Sequence, residues 1–304
     1  MIYSLENSKI RITASTHGAE LHSITHKEDN TEYLWNRDEK YWKYSSPHLF
    51  PIVGKVVDSK YRIGDNVYQL PAHGIARVSE FKLVEKTESS ISFKLDYCDE
   101  SLKVYPYKFS FEVTHTIKDN SVITTYNVRN LDNKEIYFCV GGHPAFMCPI
   151  EVKDKLEDCY LEFNEKETIS ALMVNDEAYF LHNRKDILNE STIINLSKDL
   201  FKQGVLTFDN LKSNKISIKS KNNNKVLTVD FGEFDYIAIW APEKGAPFVC
   251  IEPWFGHADY VDFNGQFKDK EGIVKLEEGK EFSASYKIYS LLIPHKHQRL
   301  SFHQ

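Results

Sequence analysis

Hydrophobic and polar residues alternate with a period of two along most of the chain, the pattern of strands that bury one face. Residues 10–14 (IRITA) read as such a strand. Residues 60–63 and 67–70 flank Gly64-Asp-Asn, a turn whose glycine takes the positive φ that a hairpin reversal requires. Residues 80–86 and 91–97 form a second hairpin, and residues 109–117 and 122–128 a third. The alternation resumes at 136–140, at 215–220 and 226–231, at 236–240 and 248–252, and at 282–289. Helical periodicity is confined to a turn near 38–42 and another near 197–201. No Gly/Ser/Pro-rich linker divides the chain, and no fixed-period repeat marks a propeller or solenoid. The expectation is an all-β fold, one large antiparallel domain of two stacked sheets with few short helices. It spans residues 1–294 and is followed by a polar C-terminal tail, 295–304, whose His295 and His297 lack nearby acidic or cysteine ligands.

Composition narrows the function. A chain of 304 residues can bury a sizeable core. Its 38 basic against 44 acidic side chains leave a net charge of −6, which argues against nucleic-acid or anionic-lipid partners. Aromatic residues make up 13%, and their rings suit both pleated surfaces and the C–H faces of sugars. No apolar run approaches the roughly 18 residues of a membrane span, and the first residues lack the pattern of a signal peptide. The five cysteines are odd in number and never spaced C-x-x-C. A cytoplasmic protein with reduced thiols, no disulfide and no zinc is expected.

Three segments carry chemistry that a β-sandwich does not need: His73-Gly-Ile-Ala-Arg77, Gly141-Gly-His143-Pro-Ala-Phe146 and Ile251-Glu252-Pro-Trp254-Phe-Gly256. Each sets a titratable residue beside Gly or Pro at a strand end, where rigid scaffolds deliver groups into clefts. Read singly, each has a plainer account. His73 reads as a turn or satisfied core residue, and Trp240 and Trp254 as core. Glu252, on an inward strand, is costly unless paired or functional, with Arg77 as a candidate ion-pair partner.

In this order, and with Gly18-Ala-Glu-Leu, Glu32-Tyr-Leu-Trp and Phe50-Pro-Ile-Val-Gly, the segments resemble the aldose 1-epimerase (galactose mutarotase-like) family, closest to its LacX-type bacterial branch. The resemblance runs from about Ser8 to Ile293. It implies a β-supersandwich whose concave face holds a sugar, with His143 as general acid, Glu252 as general base and His73 bonding the reacting oxygens. Arg77, Lys55, Trp254 and Asp235 are the substrate-binding candidates. The implied reaction interconverts the α and β anomers of an aldohexose by opening and reclosing the ring, with no cofactor and no metal. Two groups in one cleft are expected to favour each other's charged forms, raising the His143 pKa and lowering that of Glu252.

The chain departs from the galactose-mutarotase pattern at Gly142 and Pro144 around the histidine, and in having Lys55 where that pattern has an arginine. Three rivals stay open. A hexose-6-phosphate 1-epimerase would want convergent cations such as Lys55 and Arg77. A glycoside hydrolase needs a second carboxylate, Asp235 or Asp259. A non-catalytic carbohydrate-binding protein would have no use for a poised acid and base. The expected partner is a small-molecule sugar, with the chain a monomer or homodimer.

Overall fold

Strands Phe109–Lys118 and Ser121–Asn130 pair across a two-residue turn in which Asp119 adopts φ 53°. Along the first of them, Phe109, Phe111, Val113, His115 and Ile117 are buried while Glu112, Thr114 and Thr116 are part-exposed, the alternation read from the sequence. The hairpin lies near one edge of a 15-stranded antiparallel sheet in a computed structural model that describes residues 1–292. The proposed tail, 295–304, lies outside the described residues.

From this hairpin the sheet runs one way to an edge at Lys82–Lys86. The other way it passes through Glu281–Leu292, Lys225–Asp230, Lys215–Ser220 and Cys159–Val174. It continues through Leu206–Asp209, Tyr236–Trp240 and Phe248–Phe255 to Val140–Gly142 and His48–Leu49. Strands Ile2–Glu6, Ile10–Ser15 and Leu21–His26 make a separate three-stranded sheet. One hydrophobic cluster joins Leu5 and Ile12 of the small sheet to Phe111, Val140 and Ile251 of the large one. Phe50 stacks on Phe111 within it at 4.7 Å. The fold is therefore all-β and antiparallel, with its large layer hydrogen-bonded as one continuous sheet rather than as two separate ones.

Two expectations need correction. Residues 38–42 and 197–201 form hydrogen-bonded turns but no helix, and the one α-helix among the described residues is Asp99–Val104. Ser101 Oγ accepts the Cys98 N–H at 2.9 Å, and Asp99 and Glu100 occupy its positive end. Six residues are too few to display a helical period. The longest strands, Cys159–Val174 and Phe180–Asn195, escaped the pattern for a different reason. Their pairing carries register shifts between Glu162 and Val174, and each bulge resets the two-residue alternation.

Candidate active site

Two prolines explain where the sheet opens. Val140–Gly142 and Ala145–Met147 both pair with Phe248–Phe255, Gly141 standing opposite Trp254 and Ala145 opposite Cys250. Continuing that register from either side places His143 directly opposite Glu252. Pro144 and Pro253 adjoin this pair and have no N–H to donate, so the ladder lapses there. Outside the gap His143 N–H donates to Pro47 O at 3.0 Å, and one cross-strand bond survives within it, from Ile251 N–H to Pro144 O at 3.3 Å. The two side chains then meet as a cross-strand pair, with His143 Nε2 lying 3.2 Å from Glu252 Oε2.

The glycines before His143 make room for this. A Cβ on Gly141 would lie 2.6 Å from both Pro253 O and Trp254 Cδ1, and one on Gly142 would lie 2.8 Å from Tyr286 Oη. We expect Gly141→Ala to cost about 1–3 kcal/mol by overpacking. It should also slow catalysis by shifting the strand that carries His143. Urea unfolding with a parallel rate assay checks this; an unchanged midpoint would show that Trp254 yields freely.

The pair lies in a cleft of about 930 Å³ that is also lined by His73, Trp42, Trp240 and Trp254. The Trp42 ring covers His143 at 4.7 Å between centroids, and Trp240 meets it edge-on at 5.6 Å. His73 approaches His143 edge-on at 5.5 Å. Its Nδ1 accepts the Gly54 N–H at 3.2 Å, which leaves the ring proton on Nε2 as a donor. Its own N–H donates to Gly54 O at 2.7 Å, so this loop position, at φ 64°, is fixed by the Gly54 backbone on both sides.

Burial governs the charges. Glu252 is 1% exposed, and neither carboxyl oxygen has a hydrogen-bond partner. Desolvation pushes its pKa well above the ordinary carboxyl range, against a smaller opposing pull from the Trp254 indole. Burial likewise pushes His143 down to about 3. This reverses the expected mutual shift. Burial therefore works against the charged form of both partners, moving Glu252 up and His143 down.

The other candidates divide. Lys55 and Trp254 line the cleft. Arg77 does not; its guanidinium lies over the Tyr44 ring at 5.2 Å and is in no ion pair with Glu252. Asp235 is exposed and away from the cleft lining. Asp259 is committed to Lys270 at 2.6 Å and to the Val57 N–H at 3.0 Å. Sequence reasoning missed Trp42, which sits in a run of aromatic and basic residues between strands. It also missed Asn175, Asn183 and Gln203, which the long bulged hairpin and the following loop bring to the cleft wall.

Residues 1–275 match the family model for aldose 1-epimerase. The chain belongs to that family. Among its relatives, the chromosomal and plasmid LacX proteins of Lactococcus lactis subsp. lactis are each 33% identical over 291 residues, covering 91% of this chain and 95% of theirs. A galactose mutarotase related enzyme from Lactobacillus acidophilus superposes with a TM-score of 0.91 at 33% identity, covering 96% of this chain and 97% of that one. A galactose mutarotase-like protein from Lactobacillus casei gives 0.90 at 29% identity, covering 96% and 100%. Within the aldose 1-epimerase family, the proline-bordered gap gives a physical reason for the Gly-Gly-His-Pro and Ile-Glu-Pro-Trp segments. They open one rung of a sheet and fill it with an imidazole and a carboxyl group.

Proposed function

We propose that this aldose 1-epimerase family member interconverts the α and β anomers of a free aldohexose such as galactose or glucose. The observation that carries the reading is the 3.2 Å approach of His143 to a Glu252 carboxyl with both oxygens unpartnered, in a cleft with room for a pyranose. Ring opening takes the proton from the C1 hydroxyl and gives one to the ring oxygen as the C1–O5 bond breaks. Rotation about C1–C2 and reclosure reverse the transfers.

The pair holds one proton to give and one site to take one. Burial disfavours the charged form of either partner, which favours the proton on Glu252 before sugar binds. Sugar hydroxyls donating to the vacant carboxyl oxygens favour the carboxylate, and the proton then passes to His143. Glu252 becomes the base and His143 the acid only with substrate in place. The His73 Nε2–H supplies a hydrogen bond to an oxygen whose charge changes. Trp42 and Trp240 supply apolar faces beside the imidazole.

The cleft is less suited to a sugar phosphate. Lys55 Nζ donates to Glu177 O at 2.7 Å, Lys202 pairs with Asp199 at 2.7 Å, and Asp176 and Glu243 share the lining. Cations so engaged do not converge as a phosphate clamp. Neither carboxyl named from the sequence as a glycosidase's second acid is available, since Asp259 is locked to Lys270 and Asp235 stands outside the cleft lining. A panel of fresh α-anomers, free and 6-phosphorylated, followed by polarimetry or NMR, tests the reading. Acceleration confined to the free aldohexoses is expected. Faster turnover of the phosphates would transfer the assignment to a sugar-phosphate epimerase, and tight binding without acceleration would leave a binding protein.

A further inference from the structure

Behind the acid–base pair stands a thiol that the proposed reaction leaves idle. Cys250 precedes Glu252 by two residues on one strand, so alternation turns both side chains to the same face. Cys250 is fully buried beside Trp35, Ala145 and Phe248. One ligating atom each from His143, Cys250 and Glu252 lies within 4.8 Å of the other two. Both carboxyl oxygens of Glu252 are also buried without a hydrogen-bond partner.

We propose that His143, Cys250 and Glu252 form a binding site for a zinc-like divalent cation, entered from the sugar cleft, whose occupancy blocks anomer interconversion. The ion is an inhibitor here and not a cofactor. The blocking rests on the epimerase reading, whereas the binding does not.

The donor set selects the ion. Imidazole nitrogen, thiolate sulfur and carboxylate oxygen together are the ligands of zinc and its transition-metal neighbours, whereas magnesium and calcium take oxygen. Geometry agrees. In a tetrahedral site with bonds of about 2.0–2.3 Å, ligand atoms stand about 3.3–3.8 Å apart. The His143–Glu252 contact of 3.2 Å already matches one edge. Closing the Cys250 corner asks for a movement of about 1 Å. The fourth position is left for water or a sugar hydroxyl.

Charge agrees as well. Binding expels two protons to solvent, one from the Cys250 thiol and one from the Glu252 carboxyl. A dication with two anions and a neutral imidazole has no net charge, so the buried site escapes the penalty that each ion would meet alone. The same event removes the proton that the reaction moves and occupies the atom that would receive it.

Metal-free protein titrated with Zn²⁺ by equilibrium dialysis, and with Co²⁺ as a spectroscopic stand-in, tests the site. Wild type should bind one equivalent tightly. The Co²⁺ form should show a thiolate-to-metal charge-transfer band with intense visible bands of tetrahedral cobalt. Cys250→Ser should lose the charge-transfer band and bind Zn²⁺ at least ~10-fold more weakly while keeping its anomer interconversion. Cys250→Ala serves as a second variant should the serine hydroxyl disturb the apolar cluster. Zn²⁺ should inhibit wild type, with reversal by a chelator, where Mg²⁺ does not. Absence of the cobalt–thiolate band, or equal Zn²⁺ inhibition of wild type and Cys250→Ala, would overturn the proposal. If wild type accelerated no sugar, the epimerase reading would fail and the cobalt band would still decide the metal site.

Discussion

Glu252→Gln is expected to lower the rate of anomer interconversion by about 10² or more while sugar affinity changes little. Glutamine keeps the shape of the side chain and can still accept from sugar hydroxyls, but it cannot take a proton from the C1 hydroxyl. His143→Asn should lose a comparable factor, since either removal leaves a proton with nowhere to go. Because the two act as one unit across a 3.2 Å contact, the double variant should be scarcely slower than the slower single one. Steady-state polarimetry, separating kcat from KM, reads this directly. A Glu252→Gln enzyme within a few-fold of wild type would remove the carboxyl from the chemistry. Stability offers a second check. Burial holds the Glu252 pKa far above its unfolded value, so its contribution is complete below about 4.5 and is lost as pH rises through the folded value. Glutamine has no such loss, and the variant's Tm should gain on wild type as pH rises above about 4.5.

The second large effect is acid lability. Four histidines, His48, His115, His143 and His257, are buried with at most 8% exposure. Desolvation pushes His48 well below the usual value, His115 and His257 down to about 4, and His143 to about 3. Two of these rings are already satisfied when neutral. His48 and His115 both donate Nε2–H to Ala19 O, at 3.1 and 2.8 Å, while their Nδ1 atoms face Tyr126 Oη and Thr124 Oγ1. Between the unfolded pKa of about 6.5 and these lowered values, the unfolded chain binds more protons than the folded one. The contribution of these histidines is therefore fully present above pH 6.5 and is lost as pH drops toward 4. Each such group contributes a slope of up to about 1.4 kcal/mol per pH unit. Several acting together can consume a typical stability of 5–15 kcal/mol within about two to three units. Urea midpoints measured between pH 7.5 and 4 should fall steeply below 6.5. A flat profile through that window would mean that the imidazoles gain charge without unfolding the chain.

The strands were legible wherever one face is apolar, as in Phe109–Lys118 and Lys225–Asp230. They were illegible in Phe180–Asn195, where most side chains are exposed and bulges reset the alternation. The same hairpin brings Asn175 and Asn183 to the cleft, so part of the cleft wall was hidden with it. His143, Glu252 and His73 could be singled out because each sits beside a Gly or Pro that a plain strand would not tolerate. Their meeting depends on register, which a local pattern does not report. Arg77 and Asp235 were chosen by closeness along the chain to site segments. One turned to Tyr44 and the other to solvent, because neighbours in sequence on a strand or tight turn point in different directions. The expected pKa directions weighed attraction between the partners without the cost of taking both out of water, and burial shifts each the opposite way.

The most direct measurement is the optical rotation of freshly dissolved α-D-galactose and α-D-glucose with wild type and with the His143→Asn/Glu252→Gln double variant. Wild type should reach the same final rotation as buffer in a shorter time, and the double variant should follow the buffer trace. A wild-type trace that coincides with buffer for both sugars, or a double variant as fast as wild type, would contradict the assignment of this pair to anomer exchange.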